Sequence, residues 1–350
     1  MDSDRRKPQW LRVLRRAGLI LLFVVVVLCS IWAVAALFFD FPSPALRIPV
    51  AALYAVAIVC ALIFLRGSHV KLAVAAAAFV LVLIWWLRIP PSNGGDWQPD
   101  VSQMPWAEFH GDRVTIHNFR FCEYRTESDY TCSWLTKEIN LSDIRGIDLS
   151  LTYWGSPWIA HTILSFQVGA SDHIAMSIET RRKVGQEFSS LQGFFRRYTL
   201  VYVISDERDL IRLRTNFRKN EDVYLYRTTA SPEYARALFT EYLERANDLR
   251  ARPAWYNALT ENCTTVVFRQ MADLRLGPPP RFDWRVLLNG KMDKMEYERG
   301  NLVRTVPFEE LRRRAYINPA AHAAGDSPDF SRLIREGRPG FEYLDQSKQP

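Results

Sequence analysis

The chain reads as an α+β protein: three apolar helices at its N-terminal end, then a domain built on an antiparallel sheet with helices gathered on one side. Three observations predict this. Residues 17–39, 48–65 and 72–87 are apolar and uncharged. Between Arg113 and Arg227 a series of short runs alternates with the two-residue period of a strand. From Ser231 onward the spacing of apolar residues changes to that of a helix.

The first apolar run, Ala17 to Phe39, is long enough to cross a hydrocarbon layer of about 30 Å. A secretory signal peptide is the other reading of that run, but its length and the two runs that follow favour membrane spans. Residues 1–88 hold ten Lys and Arg (Arg5, Arg6, Lys7, Arg12, Arg15, Arg16, Arg47, Arg66, Lys71, Arg88) against Asp2, Asp4 and Asp40. The whole +7 excess of the chain therefore lies in this segment, and residues 89–350 carry thirty-five charges of each sign. A neutral domain gives no electrostatic footprint for nucleic acid. The basic stretch "DRRKPQWLRVLRR" predicts a cytoplasmic N-terminus, "DFPSPALR" a short outer loop and "RGSHVK" an inner one. Three crossings then put everything after Arg88 on the periplasmic side of the cytoplasmic membrane. Residues 1–88 are thus read as the anchor, 89–106 as a Pro- and Gly-rich linker, 107–318 as the periplasmic domain and 319–350 as an irregular tail.

Within the domain the expected strands are "RVTIHNFRF", "IRGIDLSLTYW", "HTILSFQV", "HIAMSIETRR", "YTLVYVI" and "DVYLYR", with a connecting helix over "VGQEFSSLQGFFRR". "SPEYARALFTEYLERANDLRA" places Ala235, Leu238, Phe239, Tyr242, Leu243 and Ala246 on one helical face, with Ser231 as cap and Pro232 in the first turn. A further helix is predicted to start at Asn262, with Val266, Val267, Met271 and Leu274 as its apolar face.

Placement outside the cytoplasm changes the meaning of the cysteines. Cys29 and Cys60 fall inside apolar runs and serve packing. Cys122 and Cys132 flank "EYRTESDYT", which has the look of a hairpin tip, and form the natural local disulfide in an oxidising compartment. Cys263 is left over.

No nucleophile elbow, HExxH, CxxC, P-loop or dinucleotide glycine pattern is present, and the six histidines are scattered, so neither a metal nor a cofactor is expected. In "TENCTTVVFRQMADL" Asn262 is a good N-cap, which puts Cys263 at the first helical position, where the helix dipole favours an anion. A histidine nearby lowers a thiol there further, and the helix-start amides offer an oxyanion site. A buried inert cysteine under a capped helix is the competing reading. His161 opens the strand "HTILSFQV", and pairing of that run with "HIAMSIETRR" through "GASD" brings Glu179 to the same end of the neighbouring strand, where it would orient the imidazole. A half-buried histidine at a sheet edge and a surface glutamate paired with Arg181 or Arg182 is the plainer alternative. Asn262, Thr264, Tyr153 and Ser156 are expected to shape the site or serve the oxyanion. Arg208, Arg212 and Arg214 are candidates for lipid phosphates, set against a structural ion-pair network with the acids interleaved among them. Tyr153, Trp154, Trp158, Trp255 and Tyr256 bracket both candidate residues, as an acyl-chain groove or as ordinary core.

Taken together, "YWGSPWIAHTILSF", "SIETR", "YVISDERDLIRLR", "VYLYR" and "PAWYNALTENCTT" resemble the Lnb N-terminal periplasmic domain family over roughly residues 114–274. The resemblance implies a lipoprotein N-acyltransferase type of activity. A cysteine takes an acyl chain from a phospholipid as a thioester and passes it to the N-terminal amine of a lipoprotein. Histidine before cysteine, with the cysteine at an Asn-Cys helix start, is also similar to the permuted papain-like (NlpC/P60-like) enzymes and lecithin:retinol acyltransferases. By motif, His161 is then the base and Cys263 the nucleophile; Glu179 as third member extends this from strand pairing. In the acyltransferase that gives the family its name the soluble domain precedes the membrane helices, whereas here three apolar helices precede it. Two further functions stay open: a cysteine hydrolase (peptidase, amidase or lipase) using the same pair, and a non-catalytic envelope scaffold.

Overall fold

Apolar helices without internal charge make up the first part of the chain. In a computed structural model, which describes residues 9–274, 283–286 and 288–342, these are α1 (Gln9–Asp40), α2 (Arg47–Phe64) and α3 (Ser68–Leu87). All three are long and apolar enough to cross a membrane. Small residues, Ala33, Ala36, Ala51 and Ala75, lie buried between them, while Leu21, Ile31, Leu53, Ile63 and Leu81 face outward. That pattern suits packing in lipid, where close backbone approach rather than apolar burial holds helices together.

Residues 191–197 belong to this helical unit, and residues 92–190 with 198–350 form the other. Phe195 stacks with Trp32 and lies against Phe39, and Asp40 accepts hydrogen bonds from the Trp86 indole (2.7 Å) and the Arg196 amide (3.0 Å). The helix predicted over residues 184–197 is therefore corrected to a single 3₁₀ turn, Gln192–Phe194. Gly185 takes a left-handed φ of +74°, and the Tyr198 hydroxyl accepts from the Ser189 amide and donates to the Glu187 carbonyl. Side-chain anchoring has displaced the helical ladder.

The second unit holds eight strands: β1 (Trp106–His110), β2 (Arg113–Tyr124), β3 (Tyr130–Asn140), β4 (Ile144–Trp154), β5 (Ala160–Val168), β6 (Asp172–Arg181), β7 (Thr199–Asp206) and β8 (Glu221–Arg227). They join in the order β1-β2-β7-β6-β5-β4-β8, with β3 paired to β2. The sheet is mixed rather than purely antiparallel, because β2 and β7 run parallel where they meet. β3 escaped the sequence pattern because it is an edge strand with only one buried residue, Ile139, and its alternation breaks after Leu135. Cys122 and Cys132 stand directly opposite in the β2–β3 register and are joined as a disulfide.

After β7 the chain enters α4 (Glu207–Arg212), which runs into a π-helical turn, Leu213–Phe217. Two helices then cover the sheet: α5 (Pro232–Ala251), capped by the Ser231 side chain, and α6 (Cys263–Asp273). The α5 face predicted from sequence is buried, with Phe166 of β5 edge-on to Phe239 and Tyr242. Part of the segment read as a linker is pinned to the domain: Arg181 donates to the carbonyls of Val101 and Ser102, and the Gln98 amide to Arg182.

The reading of an irregular C-terminal tail is also corrected. Beyond α7 (Met292–Arg299) and α8 (Phe308–Ala315), residues 318–333 form α9 (Asn318–Ala324) and α10 (Phe330–Leu333). The anchor is Arg335, wholly buried, which donates to Asp148 at 2.8 Å and to both oxygens of Glu207 at 2.7 Å. Burial works against the Glu207 anion, but the Arg335 cation outweighs it and brings its pKa to about 2. Such a partner made from residues far apart in sequence leaves no periodic trace. Residues 1–8 of the expected anchor and 343–350 of the expected tail lie outside the described residues.

Two stability predictions follow from these contacts. Replacing Cys122 and Cys132 together by Ser reopens a short loop and should cost about 2–3 kcal/mol in a denaturant titration, by loop entropy. Arg335→Leu leaves two buried carboxylates without their shared cation and should cost about 3–5 kcal/mol at neutral pH. In the parent protein that contribution is present above the ordinary carboxylate range and is lost only as pH falls through the depressed value near 2. Stability measured from pH 7 down to about pH 5.5 should therefore stay flat for this pair in the parent protein and improve on acidification in the variant.

Candidate active site

The sulfur of Cys263 sits where α6 meets β5. The helix begins there because Asn262 closes a capping box: its Oδ1 accepts from the amides of Thr264 and Thr265 (2.9 Å each), and Thr265 Oγ1 accepts from the Asn262 amide (3.0 Å). Asn262 Nδ2 is spent on the Ala258 carbonyl (2.7 Å). This corrects one expectation about the oxyanion site. The Thr264 and Thr265 amides are already occupied, so the Cys263 amide is the first-turn donor left without an acceptor among the described residues. Cys263 itself is buried.

His161 lies near the start of β5, close enough to the Cys263 thiol for each group to shift the other's pKa. The β5–β6 ladder pairs Ile163 with Ser177, and the same register carried two residues on brings Glu179 opposite His161. The imidazole Nε2 is 2.7 Å from Ser177 Oγ and 3.5 Å from Glu179 Oε1, while the Ser177 hydroxyl donates to Glu179 Oε1 at 3.0 Å. Since the single serine proton goes to the carboxylate, Ser177 Oγ accepts from Nε2–H. That leaves Nδ1 for the sulfur. Glu179 is thus near the imidazole, as strand pairing predicted, but it acts largely through Ser177. Ser177 was missed because a serine alternating inward on a strand looks like ordinary sheet polarity.

Arg214, read from sequence as a possible lipid-headgroup ligand, is buried and donates to Glu179 Oε1 at 2.9 Å, with Glu221 3.6 Å from its other nitrogen. The π-helical turn after α4 supplies it, one of the settings in which such turns recur at functional sites. Arg212 is buried as well, and Arg208 grips Asp206 with two nitrogens. The headgroup expectation for these three is corrected accordingly: local acids and burial consume them.

Electrostatics pulls the thiol and imidazole toward the charged pair. Burial alone would raise the thiol, yet its pKa is lowered by the charge and hydrogen bond of His161, the Thr162 amide and the Thr264 hydroxyl. For His161, burial and then Arg214 oppose the cation, but Cys263 and Glu179 together raise its pKa. Glu179 is disfavoured by burial, and Arg214 and His161 bring its pKa well below the usual carboxylate range. The imidazolium therefore contributes most at low pH and is lost as pH rises through its raised value, while the thiolate is lost as pH falls through its lowered one.

Tyr153 and Ser156 sit one layer away. Tyr153 donates to the Gly290 carbonyl (3.1 Å), and Ser156 Oγ accepts from the Trp158 amide (3.2 Å), so both shape the loop that leads into β5. Asn289, which no sequence pattern marked, is buried in the same place. Among the described residues no group of three or more His, Cys, Asp or Glu is placed to hold a metal.

A mixed sheet carrying a buried thiol at a helix N-terminus beside an imidazole and its carboxylate describes a protein built around a cysteine–histidine site. Residues 130–290 match the model of the Lnb N-terminal periplasmic domain, the family that the sequence motifs resemble. This match and the three apolar helices support a membrane protein with a periplasmic domain. No curated protein and no solved structure matches the chain.

Alkylation of Cys263 by iodoacetamide should show a titration midpoint below the ordinary thiol value of about 8.5. His161→Ala should move that midpoint upward and slow the reaction at pH 6.5 by at least about tenfold; rates measured from pH 5 to 9 decide it, and an unshifted midpoint would count against the pair.

Proposed function

We propose that this chain is a membrane-tethered thiol acyltransferase, taking an acyl chain from a phospholipid and passing it through a thioester at Cys263 to an amine, the N-terminus of a lipoprotein. The single observation that carries the reading is the buried Cys263 at the capped start of α6, which packs on the strand bearing His161, with the thiol lowered and the imidazole raised by one another. The likeness of residues 130–290 to the Lnb domain supports the substrate class, and the apolar helices support a substrate drawn from the bilayer. The charge bias of residues 1–88 favours a cytoplasmic N-terminus and a domain on the periplasmic face of the cytoplasmic membrane.

In the first half-reaction Nδ1 of His161 takes the thiol proton as Sγ attacks the ester carbonyl. The Cys263 amide faces the developing oxyanion. Collapse breaks the ester C–O bond, the imidazolium protonates the leaving lysolipid alcohol, and a thioester remains. In the second, the acceptor amine attacks that thioester, gives its proton to His161 and expels the thiolate. Ser177, Glu179 and Arg214 never touch the reacting atoms in this scheme; they hold the ring with Nε2–H pointing away from the sulfur. Water in place of the amine would turn the same steps into hydrolysis.

Intact-mass spectrometry of the protein purified with its membrane lipids should find a fatty-acyl adduct on Cys263 that hydroxylamine removes. Cys263→Ala should abolish both the adduct and transfer. Full transfer by a folded Cys263→Ala protein would end this reading, and release of free fatty acid with no N-acylated amine would convert it to a hydrolase.

A further inference from the structure

We infer that Asn289 is a positioning residue for the nucleophile: it fixes the direction of the Thr264 hydroxyl so that the hydroxyl proton is available to the Cys263 sulfur, and it ties the start of α6 to the strand that carries His161. The inference rests on the cysteine–histidine reading given above and deepens it.

The geometry leaves the amide one orientation. Asn289 Oδ1 accepts from the Ala160 amide at 2.8 Å, and Nδ2 donates to the Ala160 carbonyl and to Thr264 Oγ1, both at 2.5 Å. Exchanging oxygen and nitrogen would set an NH₂ group against the Ala160 N–H, so the assignment is forced. Both amide protons and the oxygen are thereby used within a buried site. Thr264 Oγ1, having accepted from Asn289, keeps its own proton for one of two neighbours: Cys263 Sγ at 3.8 Å or Thr162 Oγ1 at 3.4 Å. Only the sulfur becomes an anion, and a hydrogen bond to a charged acceptor is the stronger one. The hydroxyl therefore turns to the thiolate as it forms, and Thr264 is among the groups that lower the thiol.

Asn289 also spans the two elements the chemistry needs. Ala160 immediately precedes His161, and Thr264 immediately follows Cys263, so one side chain grips a neighbour of each. The turn that presents it is held from the other side. Gly290 donates its amide to the Trp158 carbonyl at 2.9 Å, and a Cβ there would come within 2.5 Å of the Pro157 carbonyl oxygen. Only glycine lets the backbone approach so closely, and that approach is what delivers Asn289 to the site.

The test uses the full chain in lipid nanodiscs with Cys29 and Cys60 replaced by Ala, so that Cys263 is the one free thiol. The rate of iodoacetamide alkylation is followed by intact mass from pH 5 to 9. Asn289→Asp keeps the shape but cannot donate, and it would draw the Thr264 proton to itself. Thr264→Val removes the hydroxyl while leaving the grip of Asn289 on Ala160. Each should raise the midpoint of the alkylation profile by about one pH unit, so that alkylation below it is about tenfold slower, the size expected for a lost hydrogen bond to an anion. Thr264→Ser should restore the original midpoint. An unshifted midpoint in both folded variants, or a uniform slowing at every pH, would overturn the inference. If Asn289→Asp does not fold, Thr264→Val and Thr264→Ser decide it. Alkylation needs no acyl donor, so absence of an acyl adduct on the parent protein would sink the acyltransferase reading and leave this result standing.

Discussion

Four ionisable side chains meet in one partly buried place, and the charged forms of three of them are favoured by a neighbour of opposite sign. A thiolate or an imidazolium taken singly out of water is costly, and burial by itself pushes Cys263 and His161 toward their neutral forms. What reverses that is a row of alternating sign: Cys263, His161, Glu179, Arg214. Arg214 is the end that looks least connected to catalysis. Without it, Glu179 would lose the largest of the groups that favour its anion, and part of its support for the imidazolium would go with it.

The rest of the domain can be understood as what is required to hold that row in register. Strand pairing supplies two of its members and the serine between them: β5 carries His161, β6 carries Ser177 and Glu179, and the regular ladder between them sets the distance from ring to carboxylate. The fourth charge arrives on a π-helical turn, where one extra residue re-aims Arg214 toward the sheet. Cys263 comes from a helix whose capping box spends the Thr264 and Thr265 amides locally and fixes where the first turn begins. The buried Asn289 side chain then bridges strand and helix directly.

A separate unit of three apolar helices accompanies this domain, and the two kinds of packing differ as their solvents do. In the helices Ala33, Ala36, Ala51 and Ala75 are buried while many large aliphatic residues face outward, whereas the sheet domain buries its aromatics and branched residues between layers. The sheet domain also contains buried ion pairs, Arg120 with Asp209 and Arg335 with Asp148 and Glu207, that lock non-local segments together. Such pairs add little net stability compared with apolar contacts, but their geometry is demanding, and each closes the fold over a long stretch of chain.

Local chemistry was legible from the amino-acid order. The three apolar runs, the Ser231 and Asn262 caps, the inward face of α5, the opposed Cys122 and Cys132, and the placing of His161 and Glu179 on adjacent strands all follow from periods of two or 3.6 residues and from capping chemistry. Those are short-range rules, and a sequence states them directly. Everything that depends on which segments meet lay beyond it. The identity of Ser177 as the group between ring and carboxylate, the burial of Arg214, the loss of the helix over residues 184–197, the docking of the C-terminal helices through Arg335 and the arrival of Asn289 are all contacts between distant segments. A polar side chain carries no mark in its sequence neighbourhood of the partner it will find, because hydrogen bonds are specified by direction and distance, and only the folded backbone sets those.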